Sequence, residues 1–179
     1  MNLNFNTLKS FGLQKIVVII FVFFSNFSNA SDMQYLDDVL RQAGIKRTDL
    51  HLFDNIETFR SRPTTNGFLK NNSNNIVSLR IIGGSIDSLT YISRLIHLKS
   101  LIIFDNKLTN LDGIEKLQQL QFLDAAENKI VDISSLNKIK SLKVVNLEMN
   151  VFKGLMPFRY YWGNRTAKII TSDGYVTSR

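Results

Sequence analysis

The chain repeats itself every 22 residues between residue 76 and about residue 155. A shift by one repeat superimposes an apolar column, Leu79, Leu101, Leu123 and Val145, and a second column, Ile81, Ile103, Ala125 and Leu147. A single unit of this length cannot bury its own apolar side chains. A chain with this period is therefore expected to stack its units into one continuous core.

Each unit divides into a strand and a set of turns. Leu101 and Ile103 lie two residues apart, which predicts a short β-strand that points both side chains to one side. Apolar residues then recur at every third position, at Leu108, Leu111, Ile114 and Leu117. That spacing favours 3-10 or irregular helical turns over a long α-helix.

An asparagine column separates the two parts, at Asn106, Asn128 and Asn150. An inward-facing asparagine offers a donor and an acceptor to backbone groups that a turn leaves unpaired. Asparagines are also ordinary turn residues. Their recurrence at one register favours a structural asparagine ladder over that alternative.

The resulting pattern, LxxLxLxxNxLxxLxxLxxL, resembles the leucine-rich-repeat family in its 22-residue class, and Asn128 to Ile133 is similar to bacterial internalin repeats. The resemblance implies an α/β fold: a leucine-rich-repeat solenoid forming a short curved arc. Its parallel β-sheet would line the concave face, its 3-10 or irregular helical turns the convex face, and caps both ends. It also implies binding of proteins, less often carbohydrates, on the concave sheet. Gly84 departs from the pattern, because it stands where the first asparagine belongs.

The first thirty residues are typical of an export signal. Lys9 and Lys15 precede an apolar run from Ile16 to Phe24, and small residues end at Ala30. Nine apolar residues span only about 14 Å, which is too short for a bilayer. We expect cleavage after Ala30 and no stable membrane span thereafter, with an uncleaved signal-anchor as the alternative. The signal thus predicts an exported protein, periplasmic or secreted. Because the chain contains no cysteine, it would fold without disulfides, which fits a bacterial source better than an animal or plant extracellular one.

The remaining boundaries follow from the repeat. Residues 31–75 are predicted to form an N-terminal cap, with a helix that carries Leu36, Val39 and Leu40 followed by a loop from Ser61 to Asn75. Residues 76–155 hold three to four repeats. Residues 156–179 are predicted to form a C-terminal cap with a hairpin turn at Asp173-Gly174. Its aromatic cluster at Phe158, Tyr160, Tyr161 and Trp162 favours packing on the last repeat over ligand contact.

Strand residues that point away from the core are candidate partner-binding residues on the concave face. We define the concave face by this register: Arg80, Ile82, Ile102, Phe104, Asp105, Phe122, Asp124, Glu127, Val144, Asn146 and Glu148. Large apolar side chains beside acids are typical of a protein-binding patch. We therefore expect a protein partner, one with a basic contact surface, although a cap or a second copy covering the face is an alternative.

Other function classes receive little support from the sequence. The net charge of +7 is spread along the chain without a basic stripe, which argues against nucleic-acid binding. No nucleophile elbow or phosphate loop occurs, and lone acid pairs do not make a metal site, so we expect no catalytic residues, metal or cofactor. The alternative to a binding module is a structural, self-associating envelope protein. An enzyme with an unrecognised site is a further possibility, addressed by a hydrolase screen.

Overall fold

The computed structural model describes residues 32–151 and 168–171, and the backbone of residues 174–177. The predicted export signal, the aromatic cluster at residues 158–162 and the turn residue Asp173 lie outside the described residues. None of the helices in the described part combines the length and the apolarity needed to cross a bilayer.

The described residues form one eight-stranded sheet whose strands follow chain order. Strands β3 to β7 are parallel neighbours, whereas β2–β3 and β7–β8 are antiparallel pairs and β1–β2 is parallel. The strands are β1 His51–Phe53, β2 Gly67–Lys70, β3 Ile76–Arg80, β4 Ser100–Ile102, β5 Phe122–Asp124, β6 Val144–Asn146, β7 Lys168–Thr171 and β8 Gly174–Thr177.

The repeat period equals the register of the parallel strands. Leu79 pairs with Leu101, Leu101 with Leu123, and Leu123 with Val145, so each apolar column of the sequence becomes a row across the sheet. These rows are fully buried and join the third-residue apolar positions of the turns in one core. Short 3-10 segments at Ile92–Arg94, Ile114–Lys116 and Ser134–Lys138 carry those positions on the side opposite the strands.

Helix α1, Asp32–Ala43, covers the first repeat. Its apolar side, with Leu36, Val39, Leu40 and Ala43, is buried in the same core. The tight packing also accounts for Gly84 in place of the first asparagine. A Cβ at Gly84 would lie 2.8 Å from the Asn106 side-chain oxygen and 3.4 Å from the Ala43 Cβ. A side chain at this position would therefore displace the Asn106 side chain and press on the end of α1, which glycine avoids.

The segment before the repeats contains more regular structure than the helix and loop predicted from the sequence. Helix α2, Ile56–Ser61, and strand β2, Gly67–Lys70, interrupt it, and β2 pairs with β3 as a hairpin. The polar residues that indicated a long loop form the hairpin turn, where Asn71 Oδ1 accepts from the Asn75 amide at 3.0 Å. Phe53, Phe59 and Phe68, all buried, hold the segment together.

Candidate binding face of the sheet

The asparagine column ties each repeat to the one before it. Asn128 Nδ2 donates to Ile103 O at 2.9 Å, and Asn128 Oδ1 accepts from the Leu108 amide at 3.0 Å. Asn106 and Asn150 make the corresponding bonds one repeat earlier and one repeat later. Each side chain thus satisfies buried backbone groups that the sheet leaves unpaired.

Stacked parallel strands, an inward asparagine column and 3-10 turns at a 22-residue period define one architecture. The chain folds as a leucine-rich-repeat solenoid. The sheet of the solenoid buries one face against the core and presents the other, the concave face. The register of the strands fixes which residues of that face are neighbours.

Three rows of side chains cross the concave face. The first row runs Ser78, Ser100, Phe122, Val144, the second Arg80, Ile102, Asp124, Asn146, and the third Ile82, Phe104, Ala126, Glu148. Ile82, Ile102, Phe104, Phe122, Asp124, Val144 and Asn146 are half-buried, and Asp105, Glu127 and Glu148 are exposed. In the middle of the face, Phe122 and Asp124 come from one strand, with Ile102 beside the acid on the strand before it.

Arg80 departs from the expected exposure. Its relative exposed surface is only 3%, because Phe59 of α2 lies over the guanidinium with 4.1 Å between the Arg80 Cζ and the ring centroid. Arg80 Nη1 donates to Arg62 O at 2.6 Å, and Arg80 Nε has no hydrogen-bond partner. Arg80 is therefore a buried residue under the N-terminal segment, and its expected place as a directly exposed contact is corrected.

Asp124 lies where its carboxylate is partly removed from water, which is unfavourable for a charged group. Burial raises the pKa of the Asp124 carboxyl above its usual range, and the Glu148 carboxylate raises this pKa further. Hydrogen bonds from the Ala126 amide N–H and the Asn146 side chain, with the more distant Arg80 cation, lower it in part. The environment thus makes ionisation of Asp124 less favourable than in water, and a cation brought to Asp124 would stabilise the ionised form.

The two outermost acids are held at strained backbone positions. Asp105 and Glu127 adopt positive φ angles of 53° and 51°, in the same column as Gly83 at 66° and Met149 at 55°. A left-handed conformation costs a residue with a side chain roughly 1 kcal/mol, which a glycine avoids. Repetition of this turn directs both acids to the solvent-exposed rim of the concave face.

A groove lies between α2 and strands β3, β4 and β5, with a volume of about 520 Å³. Phe59 and Ile56 of α2 form one wall, and Ile102 and Phe122 of the sheet form part of the other. The cations Arg60, Arg80 and Lys99 also line it. Arg60, Ile56 and Phe59 are absent from the concave face predicted from the sequence. They belong to α2, which precedes the repeats, so the 22-residue period gives no information about their position.

The described residues contain no group of three or more acidic or histidine side chains placed to hold a metal ion. The three rows of the concave face contain the serines Ser78 and Ser100, but no cysteine and no histidine that would serve as a general base. The face therefore offers apolar contacts, hydroxyl and amide groups, carboxylates and one buried cation.

No protein-family model matches the chain, and no curated protein sequence matches it. Solved structures with a similar fold include an internalin (InlF) from Listeria monocytogenes, with 22% identity, a TM-score of 0.45 and coverage of 55% of this chain and 31% of that one. A leucine-rich-repeat protein of Leptospira interrogans has 21% identity, a TM-score of 0.49 and coverage of 59% and 29%. Internalin C2 of L. monocytogenes has 22% identity, a TM-score of 0.43 and coverage of 65% of this chain and 57% of that one. The chain thus spans less than two thirds of each of these proteins.

Proposed function

We propose that the concave face binds a protein partner and that the chain is an exported recognition module. The observation that carries the proposal is a set of half-buried side chains around Asp124: Phe122 lies two residues before it on the same strand, and Phe104 lies in the third row on the preceding repeat. The described part of the chain leaves these aromatic rings partly in water. Apolar surface gains about 25 cal/mol per Å² when a partner covers it, and aromatic residues dominate such contacts.

The partner's contact surface is inferred to be basic where it meets the middle of the face. Glu148 follows β6, the strand next to that of Asp124, and both the burial of Asp124 and its repulsion by Glu148 raise the pKa of the Asp124 carboxyl. A lysine or arginine from the partner would relieve both costs at once. Such a charge pair would contribute to specificity and to the association rate more than to total affinity.

A crosslinking pull-down tests the proposal. The wild-type protein is compared with the variant Phe104→Ala, Phe122→Ala, Asp124→Lys, using envelope extracts and host-cell surface extracts. The matched control is Ile96→Ala, Val131→Ala, Asp54→Lys, which removes exposed apolar groups and one exposed acid from elsewhere on the solenoid. Loss of about 2 kcal/mol at each aromatic anchor predicts at least thirtyfold weaker capture by the concave variant alone. Equal capture by all three proteins would refute the proposal.

Export is a second part of the proposal. Its support is the lysine-flanked apolar run that ends in small residues at Ala30. N-terminal sequencing of the protein recovered from periplasm and culture medium should begin at Ser31. Recovery of an intact Met1 in the membrane fraction would instead indicate an uncleaved anchor.

Self-association is a second candidate function, favoured by the sheet edge at β1. Strand β1 is an edge strand, and Leu52 on it has 50% of its surface exposed. Exposed edge strands pair readily with another chain. Sedimentation that gives a concentration-dependent dimer, abolished by Leu52→Lys, would support this function, whereas a monomer at all concentrations would exclude it. In either case the proposal assigns no catalytic role to the chain.

A further inference from the structure

The groove beside α2 differs from the rest of the concave face in its charge. Arg60, Arg80 and Lys99 line it, and no aspartate or glutamate does. Within the described residues, the ion pairs are Arg41–Asp38 and Arg47–Asp37, so none of the three groove cations has a carboxylate within salt-bridge distance. The groove is therefore a cationic cleft at one end of a face whose middle is acidic.

Arg80 makes this cleft unusual. Cations that are almost fully buried are ordinarily paired with a carboxylate, because removal of a charge from water is costly. Burial lowers the pKa of the Arg80 guanidinium, and the Asp124 carboxylate, two strands away, raises it in part. The hydrogen bonds of Arg80 go to the uncharged carbonyls of Arg62 and Thr65. The positive charge of Arg80 consequently lies behind the groove wall with little neutralisation by the protein itself.

We propose that the groove binds a peptide segment of the partner in which a carboxylate lies next to an apolar side chain. The proposal rests on the proposed function, and it names the chemistry that one end of the concave face recognises. The exposed Arg60 and Lys99 pair with the carboxylate, and the apolar side chain packs on Ile102 and Phe122. The half-buried Ser100 and Gln121 side chains in the same lining favour a peptide, whose amides need hydrogen-bond partners, over a lipid chain.

The test selects random dodecapeptides displayed on phage against the full chain. Three proteins are used: wild type, the groove variant Arg60→Glu, Lys99→Glu, and the control Lys116→Glu, Lys138→Glu, which makes the same charge change at exposed positions on the turns. The best wild-type peptides are then synthesised with their acid as Glu and as Gln, and their dissociation constants are measured by fluorescence anisotropy. Thermal melts monitored by circular dichroism check that each variant is folded.

The proposal predicts that wild-type peptides are enriched in an acid beside an apolar residue. Binding should weaken at least tenfold in the groove variant and at least tenfold on Glu→Gln in the peptide, with no further loss when the two changes are combined. The control should bind like wild type. Peptides without an acid preference, an acid preference that persists in the groove variant, or no selected peptide at all would each overturn it. A fourth protein, Phe104→Ala, Asp124→Lys, separates the groove assignment from the proposed function. Peptides that lack an acid and lose binding to this fourth protein would overturn the groove assignment while supporting the proposed function.

Discussion

Asn128 lies at the centre of the asparagine ladder, and its replacement by alanine gives a quantitative test of how the repeats are held together. The side chain is 6% exposed and makes hydrogen bonds to four backbone groups. Two of these groups keep another partner after the change. The Asn150 amide still donates to Ala125 O, and the Asp105 N–H still donates to Ala126 O.

The other two groups lose the partner that the structure gives them. The Leu108 N–H and Ile103 O are bonded by Asn128 in the interior of the solenoid. A buried backbone group left unpaired costs about 1–3 kcal/mol. Asn128→Ala is therefore expected to lower the free energy of unfolding by roughly 2–5 kcal/mol. Asn150→Ala should cost less, because Asn150 is only half-buried: Ala125 O remains bonded to Asn128, and the Ile130 N–H and Leu147 O lose their partner closer to solvent.

Urea denaturation followed by circular dichroism measures both free energies. Asn72→Ala is the matched control, since Asn72 is exposed in the β2–β3 turn and its change should stay within about 0.5 kcal/mol. The variant Asn128→Asp tests the direction in which stability depends on pH. The introduced carboxyl lies among backbone carbonyls, so its folded pKa would exceed its unfolded value and its destabilisation would diminish as pH falls from 7 towards 4. Equal losses of unfolding free energy for Asn128→Ala and Asn150→Ala would refute this assignment of the lost hydrogen bonds. A loss below about 1 kcal/mol for Asn128→Ala would also refute it.

Substitutions at three further positions test other parts of the structure by the same denaturation assay. Gly67→Ala should cost at least about 2 kcal/mol, because its Cβ would lie 2.4 Å from His51 O and from the Phe53 ring; a loss below 0.5 kcal/mol would show that the hairpin adjusts freely. Glu127→Gly should be neutral or stabilising by up to about 1 kcal/mol, whereas Glu127→Val should destabilise by about 1–2 kcal/mol, since φ is 51°; equal effects would contradict the strain. Asp124→Asn should stabilise the protein at pH 7, with a gain that shrinks as pH falls, because the folded pKa of Asp124 is raised and the wild-type penalty disappears on protonation. A constant difference from pH 7 to pH 4 would contradict that sign.

The repeats could be predicted from the sequence because the 22-residue period of the apolar positions is also the register at which successive strands pair. Each apolar column had to become a buried row, and Leu79, Leu101 and Leu123 do so at their predicted register. The segment before the repeats could not be predicted in this way. Its aromatic contacts, such as Phe59 over Arg80, join residues from different elements and obey no period. For that reason the sequence placed Arg80 on an exposed face and missed the groove that α2 creates.

The residue types in the rows of the concave face vary in a way that the fold does not require. In the core, successive repeats place Leu, Leu, Leu and Val at one register, because packing admits little else. One residue further along, the same strands carry Arg80, Ile102, Asp124 and Asn146, which differ in charge, size and polarity. Such a row cannot be explained by stacking, and at Asp124 it works against stability, since burial raises the pKa of the acid. Residues that cost the fold stability are characteristic of sites retained for function. The Asp124→Asn comparison therefore bears on binding as well as on folding: a variant that is more stable but captures less partner would identify Asp124 as a recognition residue.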